Sequence, residues 1–250
     1  MMNGIPVLMY HHVNPHRGDT VTITPEAFAG QMEYLHRAGF RTLTVDQLLQ
    51  CVKDGVDPGP RAVLLTFDDG WLDNYVHAYP VLKRYGFKAA FFLVTDRVEA
   101  AGSGHFPSPA AIPCHEESKR LIAAGEAGRV VLNWDLVREM TEDGLISFYS
   151  HTRTHRGCDR LSIDELRDEL GTSKRVLEEK LARPCGYLCW PYGRYNDLAV
   201  EVALEAGYSA IFTTKEGAVT SRSNPLHLER VMVEDSVDWL EGLLTGCDKK

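Results

Sequence analysis

The stretch from Ala62 to Gly70 decides the fold and reads Ala-Val-Leu-Leu-Thr-Phe-Asp-Asp-Gly. An almost continuous apolar run comes first, and two acidic residues and a glycine follow it directly. A short run of this kind is typical of a parallel strand buried on both faces, because an exposed face would show alternating polar residues. The stretch therefore predicts a parallel sheet with charged residues at the carboxyl end of one strand.

The same pattern recurs along the chain as an apolar run, a capped amphipathic helix and then a glycine. Further strands are predicted at 5–10, 40–43, 88–94, 145–150, 186–190, 208–212 and 228–233. Helices are predicted to begin at Thr24, Thr44, Trp71, Asn133, Ser162, Asn196 and Ser236. This alternation predicts a distorted (β/α) barrel of about seven or eight parallel strands. A doubly wound open sheet is the alternative, but no Gly-x-Gly-x-x-Gly follows the first strand, which disfavours it.

Residues 96–132 break this rhythm. They contain several Gly, Ser and Pro residues and two histidines, His105 and His115. Such a composition predicts a loop insertion within a single domain that spans residues 1–250. We expect both histidines to lie on a surface loop rather than in a lid over a site.

Composition and charge limit the possible partners. The chain is 44% hydrophobic and 25% charged, which excludes a disordered or collagen-like protein. Its 27 basic and 35 acidic residues give a net charge of −8, which disfavours nucleic acid and anionic lipid surfaces. No transmembrane segment or signal peptide is visible, so we expect a cytoplasmic protein. The pattern carries no signal for the oligomeric state.

The six cysteines are predicted to be free thiols, because they are scattered through periodic segments rather than arranged as a disulfide framework. Cys185 and Cys189 form the only close pair, and their strand-like surroundings favour a structural role over a zinc knuckle. The others are Cys51, Cys114, Cys158 and Cys247.

Polar and aromatic residues collect where the predicted strands end. These are His11 and His12, Asp68 and Asp69, His151, and Trp190-Pro191-Tyr192. The carboxyl ends of parallel strands meet at one rim, where the chemistry of such folds takes place. Two adjacent carboxylates beside several imidazoles predict a divalent metal with a neighbouring base.

The acidic pair has two interpretations. Asp68-Asp69-Gly70 is a common turn sequence, and it can also cap the helix predicted from Trp71. Its place after a fully apolar strand favours a site, because adjacent side chains project in different directions. One carboxylate can then bind a metal while the other faces the substrate.

Two histidine pairs have the same four-residue spacing. His151 and His155 can bind one ion if the second lies in a helical turn, but His12 and His16 are spaced identically. Spacing alone therefore does not identify a ligand pair. Asp69 supplies a third ligand at an equivalent rim position, and a set of two histidines and one carboxylate leaves positions open for catalysis.

Three motifs resemble the polysaccharide deacetylase family, also called the NodB homology family or carbohydrate esterase family 4. They are Thr66-Phe67-Asp68-Asp69-Gly70, Ser150-His151-Thr152-Arg153-Thr154-His155 and Trp190-Pro191-Tyr192-Gly193. The segment Val7-Leu-Met-Tyr-His-His-Val13 resembles the branch that contains the poly-N-acetylglucosamine deacetylases. The resemblance covers residues 4–235. It implies a NodB-like barrel and a metal-dependent hydrolase that removes N-acetyl groups from an amino-sugar-containing glycan or its precursor.

The resemblance also implies a metal site. Asp69, His151 and His155 would hold a divalent ion. This donor set accepts Zn²⁺, Co²⁺, Ni²⁺ or Fe²⁺, and cellular availability makes Zn²⁺ the default.

The remaining catalytic roles follow from the same resemblance. Asp68 would act as general base toward water, the backbone N–H of Tyr192 would stabilise the oxyanion, and His11 would protonate the leaving amine. The third motif of the family usually begins with an Arg that pairs with the catalytic Asp, but this chain has Leu188-Cys189-Trp190-Pro191 there. Arg230 on the last strand either replaces that Arg or forms a surface ion pair.

Two other functions remain open. The same fold and metal would also suit an O-acetyl ester, a formamide or a cyclic imide. A noncatalytic carbohydrate-binding relative is a further alternative, although retention of both acids and both histidines argues against it. The missing signal peptide points either to a precursor substrate, such as a lipid-linked or nucleotide-linked sugar, or to a sequence that is a piece of a longer protein, and the sequence does not decide between them.

A few residues near the motifs have a packing interpretation as well as a functional one. Tyr10 and Trp190 would either stack on a sugar or pack at strand ends, and His12 is expected to hydrogen-bond within its loop. Asp235 begins a segment that matches another family motif superficially. We expect a helix cap there with Trp239 packed inward.

Overall fold

The computed structural model describes residues 4–103 and 112–246. Most predicted strands form within one or two residues of their expected bounds, but β9 starts later and runs further than the sequence suggested. The short strands β2, β3 and β10 were not predicted. The strands are β1 (Ile5–Tyr10), β2 (His12–Val13), β3 (Thr22–Ile23), β4 (Arg41–Thr42), β5 (Ala62–Phe67), β6 (Ala89–Leu93), β7 (Ile146–Ser150), β8 (Tyr187–Cys189), β9 (Ala210–Glu216), β10 (Ala218–Val219) and β11 (Leu228–Met232).

Seven of these strands close into a parallel barrel. Their order is β1, β5, β6, β7, β8, β9 and β11, and β11 pairs back onto β1. Strand β4 pairs in parallel with β5 outside the ring, β10 pairs antiparallel with β1, and β2 pairs with β3. Closure confirms the predicted barrel and rules out the open doubly wound sheet.

Six helices begin directly after the caps that the sequence predicts, whereas the helix predicted from Trp71 begins later and α4 and α5 were not predicted. Thr44 with Gln47, and Ser162 with Glu165, form complete capping boxes, and Asn133 accepts two backbone N–H groups. The helices are α1 (Pro25–Arg37), α2 (Val45–Asp54), α3 (Tyr79–Tyr85), α4 (Thr95–Ala100), α5 (His115–Ala123), α6 (Trp134–Glu142), α7 (Ile163–Arg167), α8 (Ser173–Leu181), α9 (Asp197–Glu205) and α10 (Val237–Thr245).

Two of the predicted helices contain a π-helical turn. One lies at Asn74–Ala78 ahead of α3, and the other lies at Asp168–Thr172 between α7 and α8. Turns of this kind often occur near functional sites, because the extra residue redirects the side chains around it. Both turns carry residues that support the rim of the barrel.

The segment 96–132 is not one long loop. Its described part contains most of α4, all of α5 and a 3₁₀ turn at Ala127–Arg129. The loop prediction is wrong here because Val98, Ala101 and Leu121 bury their side chains in the barrel's hydrophobic core. His105 lies outside the described residues, whereas His115 begins α5.

The core explains several aromatic residues and thiols. Tyr10 is fully buried, stacks on Phe67 and donates its hydroxyl to Gln31, and Trp190 is fully buried against Tyr195. Neither ring can stack on a sugar.

The five described cysteines are free, as predicted, and Cys247 lies outside the described residues. Among the helices of the described ranges, none combines the length and the apolarity needed to cross a membrane.

Candidate active site

The carboxyl rim of the barrel brings the predicted site residues together. Parallel pairing places the ends of β1, β5 and β7 side by side or one strand apart, so residues distant in sequence meet there. The residues concerned are His11, Asp68, Asp69, His151, His155, Tyr192 and Arg230. Each of them contacts at least one other member of the set.

The turn after β5 sends the two carboxylates apart. Asp69 has a φ of 73° and Gly70 a φ of 74°, so the chain reverses directly after Asp68. A left-handed backbone is costly for a residue with a side chain, and such strain is common at functional sites. Gly70 is required in addition because a Cβ would lie 2.7 Å from the Leu93 side chain. The strained turn confirms that the adjacent acids point to different partners.

Asp68 is bound by a buried arginine. Arg230 donates to Asp68 Oδ1 at 2.8 Å and to Oδ2 at 2.7 Å, and its Nε donates to the Thr213 carbonyl at 2.9 Å. Arg230 is fully buried, so the surface ion pair is excluded. Burial by itself raises the pKa of Asp68, but the Arg230 guanidinium outweighs it and lowers that pKa to about 2. Asp68 is therefore ionised throughout the neutral range.

Asp69 faces the two histidines of the second motif. Its Oδ1 lies 2.9 Å from His155 Nε2 and 3.9 Å from His151 Nε2. The Nδ1 of His151 donates to the Cys189 carbonyl at 2.8 Å, which leaves Nε2 unprotonated and directed at Asp69 when the ring is neutral. The three residues form one of two groups in the described chain that could hold a metal ion. The donor chemistry fits a divalent cation.

The histidine pair does not use a helical turn. Thr152 and His155 both have left-handed backbones, with φ of 65° and 70°, and the His155 N–H donates to the Thr152 hydroxyl at 3.2 Å. Glu169, on the π turn between α7 and α8, accepts the backbone N–H groups of Arg153 and Thr154 at 3.1 and 2.9 Å. A tightly held loop, rather than helical spacing, brings the imidazoles together.

Burial lowers the pKa of two imidazoles at the rim, His11 and His151. Desolvation is the main cause that lowers the pKa of His151 to about 4, and it lowers the pKa of His11 as well. His11 Nε2 lies 3.7 Å from Asp68 Oδ2. Burial raises the pKa of Asp69, but the charges of His155, His151 and Arg97 more than offset it and hold that pKa well below its ordinary value. The site therefore combines anionic carboxylates with imidazoles that release protons readily.

Tyr192 lies at the edge of this cluster. Its backbone has a φ of 57°, its side chain is 62% exposed, and its ring packs edge-on against His155 with 4.5 Å between centroids. Gly193 follows because a Cβ there would collide with Thr214. The Tyr192 ring therefore lies directly against a candidate ligand.

The second histidine pair, His12 and His16, does not converge on one point. His12 is buried, and its Nδ1 donates to Asp73 Oδ2 at 2.5 Å, whereas His16 is exposed. His115 packs beside His12 and donates to Asp19 at 2.5 Å. His12 therefore has a buried structural role, but the bond expected within its own loop is not formed, because its partner Asp73 lies 61 residues along the chain, just ahead of the π turn that follows β5.

Sequence reasoning missed several residues that contact the site. Cys189 Sγ lies 3.0 Å from Arg230 Nη2 and 3.6 Å from Asp68 Oδ2. Trp71 and Arg97 both contact Asp69, and Glu169 supports the histidine loop. Of these residues, only Glu169 could have been found from the sequence. It is an acidic residue on the buried face of the helix predicted from Ser162.

Comparisons with known proteins identify the family of this chain. The polysaccharide deacetylase family model matches residues 55–211, which contain all three motifs. The chain belongs to the polysaccharide deacetylase family. YxkH of Bacillus subtilis, which bears the name of polysaccharide deacetylase, is 30% identical over 229 residues that cover 92% of this chain and 71% of that protein. His11 and Arg230 lie outside residues 55–211, which the family model matches.

One further relative and one solved structure support membership in this family of hydrolases, and a second solved structure shares the fold. Poly-beta-1,6-N-acetyl-D-glucosamine N-deacetylase of Staphylococcus aureus is 26% identical over 235 residues, which cover 91% of this chain and 72% of the enzyme. The structure of Streptococcus pyogenes deacetylase PplD in complex with acetate superposes with a TM-score of 0.80 and 25% identity, and the match covers 98% of both chains. IcaB from Ammonifex degensii shares the fold with a TM-score of 0.76, at 24% identity and 97% and 96% coverage.

Proposed function

We propose that this chain is a metal-dependent hydrolase that removes N-acetyl groups from an amino-sugar-containing glycan or glycan precursor. The observation that carries the proposal is the meeting, at one rim, of an Asp-His-His donor set and a second carboxylate that Arg230 keeps ionised. The names of two relatives support the reaction, because one acts on an N-acetylated glucosamine polymer and another was solved with acetate. Acetate is the product that such a hydrolysis releases.

Asp69, His151 and His155 would hold the metal through Oδ1 and the two Nε2 atoms. Zn²⁺ is the default ion for two imidazoles and one carboxylate. A bound metal of this kind polarises a carbonyl and supplies positive charge to a developing oxyanion. The hydrogen bond from His151 Nδ1 to the Cys189 carbonyl fixes the tautomer that ligation needs.

Asp68 would act as the base that takes a proton from the attacking water. Its pKa of about 2 keeps it anionic, and the bidentate contact with Arg230 holds it in one orientation. General-base catalysis of this type contributes about 10²- to 10⁴-fold in rate. The Tyr192 N–H would donate to the oxyanion from the adjacent turn.

His11 would deliver a proton to the departing amine. Amide cleavage needs this step because an unprotonated amide anion is a very poor leaving group. The Nε2 of His11 lies 3.7 Å from Asp68 Oδ2, so acid and base lie next to the same reacting group. Burial lowers the pKa of the free ring, so the proton that Asp68 takes from water would pass to His11 Nε2 and from there to the nitrogen of the departing amine.

The test is acetate release from N-acetylated oligosaccharides, lipid-linked sugars and sugar nucleotides. Activity should disappear with a chelator and return with added Zn²⁺. Asp143→Asn is the matched control for Asp69→Asn and should keep its activity, because Asp143 binds Tyr79 and Lys83 away from the rim. Release from O-acetyl or formamide substrates alone would replace the N-acetyl assignment, and release that is insensitive to chelation would overturn the metal-dependent proposal.

A further inference from the structure

Trp71 contacts the carboxylate proposed to bind the metal. Its indole Nε1 donates to Asp69 Oδ2 at 3.0 Å, whereas Oδ1 of the same carboxylate faces His155 and His151. Arg97 also donates to Oδ1, at a longer distance of 3.3 Å. The indole therefore binds the oxygen that does not face the histidines. A hydrogen bond there restrains rotation of the carboxylate about its Cβ–Cγ bond.

The indole is itself held in place by other side chains of the site. Trp71 is 2% exposed and stacks on His12, with 4.2 Å between ring centroids and 28° between the ring planes. His12 is anchored by its hydrogen bond to Asp73, and the Arg97 guanidinium lies 5.8 Å from the indole centroid on its own helix. The donor therefore has little freedom to follow a moving carboxylate.

The backbone of Trp71 is paired with the segment that was expected to be a loop. Trp71 forms an antiparallel bridge with Val131, the Leu72 N–H donates to the Val130 carbonyl at 2.9 Å, and the Leu132 N–H donates to the Gly70 carbonyl at 2.9 Å. These bonds secure the strained turn that carries Asp69. Residues 130–132 thus support the candidate metal site from outside the barrel.

We infer that Trp71 is a positioning residue that orients the Asp69 carboxylate, so that Oδ1 is presented to a divalent metal together with His151 and His155. The inference rests on the proposed function. Hydrogen-bond partners of metal ligands commonly change metal affinity by about 10- to 100-fold. Trp71 acts through Asp69 and does not contact the reacting atoms.

The experiment compares two Trp→Phe substitutions in the full chain. Trp71→Phe removes the N–H and keeps an aromatic ring, and Trp134→Phe removes a similar bond, since Trp134 is 6% exposed and donates to Glu99 at 2.8 Å. Each metal-free protein is titrated with Zn²⁺ against a chromophoric chelator. We expect the Zn²⁺ dissociation constant to rise about 10- to 100-fold for Trp71→Phe and to change less than about twofold for Trp134→Phe.

A second variant keeps the ring shape if Trp71→Phe folds poorly. Trp71→benzothienylalanine replaces only the N–H by sulfur and should weaken Zn²⁺ binding to a similar extent. At saturating Zn²⁺ both Trp71 variants should recover most of the kcat with little change in KM. A kcat that stays low in both variants at saturating Zn²⁺, with unchanged Zn²⁺ affinity, overturns the inference.

The outcomes separate this inference from the proposed function. If the unchanged chain binds Zn²⁺ and both Trp71 variants bind it equally well, Trp71 has no positioning role and the deacetylase proposal stands. If the affinities differ as expected but no acyl substrate is hydrolysed, the inference stands and the proposed function fails. If the unchanged chain binds no divalent metal, both are overturned.

Discussion

Asp68 and Asp69 are neighbours in sequence and almost equally buried, at 2% and 6% exposure, yet they lie in opposite surroundings. Asp68 shares both oxygens with the permanent charge of Arg230. Asp69 faces two imidazoles, which can lose their protons and become metal ligands. The left-handed backbone at Asp69 creates this difference. The contact with Arg230 suits Asp68 to accept a proton. The two imidazoles suit Asp69 to bind a metal together with them.

The strongest test of this contrast is Asp69→Asn. We expect this variant to lose stoichiometric Zn²⁺ and nearly all acetate release, because the charged donor of the ligand set is gone. Metal content after dialysis and activity with restored Zn²⁺ are the measurements. Full Zn²⁺ occupancy in the variant would show that the histidine side does not hold the metal.

Asp68→Asn should have the opposite metal phenotype. Zn²⁺ should remain bound, while turnover falls by about 10²- to 10⁴-fold because the base is lost. The amide retains the size of the carboxylate but leaves Arg230 without a charged partner, so circular dichroism should confirm that the variant is folded. Normal turnover would remove Asp68 from the base role and erase the contrast between the two acids.

His11→Gln sharpens the proton-transfer side. We expect amide hydrolysis to fall by about 10²-fold or more, whereas hydrolysis of an activated ester should fall far less, because its leaving group departs without a proton. The kcat/KM values for the two substrates measure this split. His36→Gln is the control, because its exposed imidazole lies on α1 beside Tyr85, away from the rim. Equal losses on amide and ester would mean that His11 positions the substrate.

Arg230→Lys gives the smallest expected effect, which is a change in the pH dependence of kcat/KM. Burial raises the pKa of Asp68 and the guanidinium lowers it, so a weaker cationic contact should move that pKa up from about 2. The acid limb of the kcat/KM profile should therefore shift to higher pH, with about a tenfold loss near that limb. Arg183→Lys, which removes a bond to the Phe148 carbonyl, should leave the profile unchanged. An unshifted acid limb in Arg230→Lys would show that this pairing does not set the charge of Asp68.

The two histidine pairs show how far local patterns can be trusted. His151 and His155 converge on Asp69, while His12 binds Asp73 and His16 is exposed. Their spacing in sequence is identical, so the decisive factor was the acid at the end of a neighbouring strand. The sequence identified that acid because Asp68 and Asp69 come directly after an almost continuous apolar strand.

The segment 96–132 shows where composition misleads. Its glycines and prolines suggested a loop, but the described part forms helices whose apolar residues enter the core. Val131 and its neighbours then pair with Trp71 and its neighbours. No short-range pattern marks that pairing, because the partners lie about sixty residues apart and an antiparallel bridge needs no particular side chains.

The sequence alone determined the barrel strands, six of the helix caps, the barrel itself and the set of polar residues at its rim. These features depend on neighbours within a few residues and on the two periodicities of helix and strand. Only the tertiary structure decided that Arg230 pairs with Asp68, that Trp71 binds Asp69 and that Glu169 holds the histidine loop. Such contacts depend on barrel closure and on backbone strain at single residues. They are set by distances across the fold, which one-dimensional patterns do not contain.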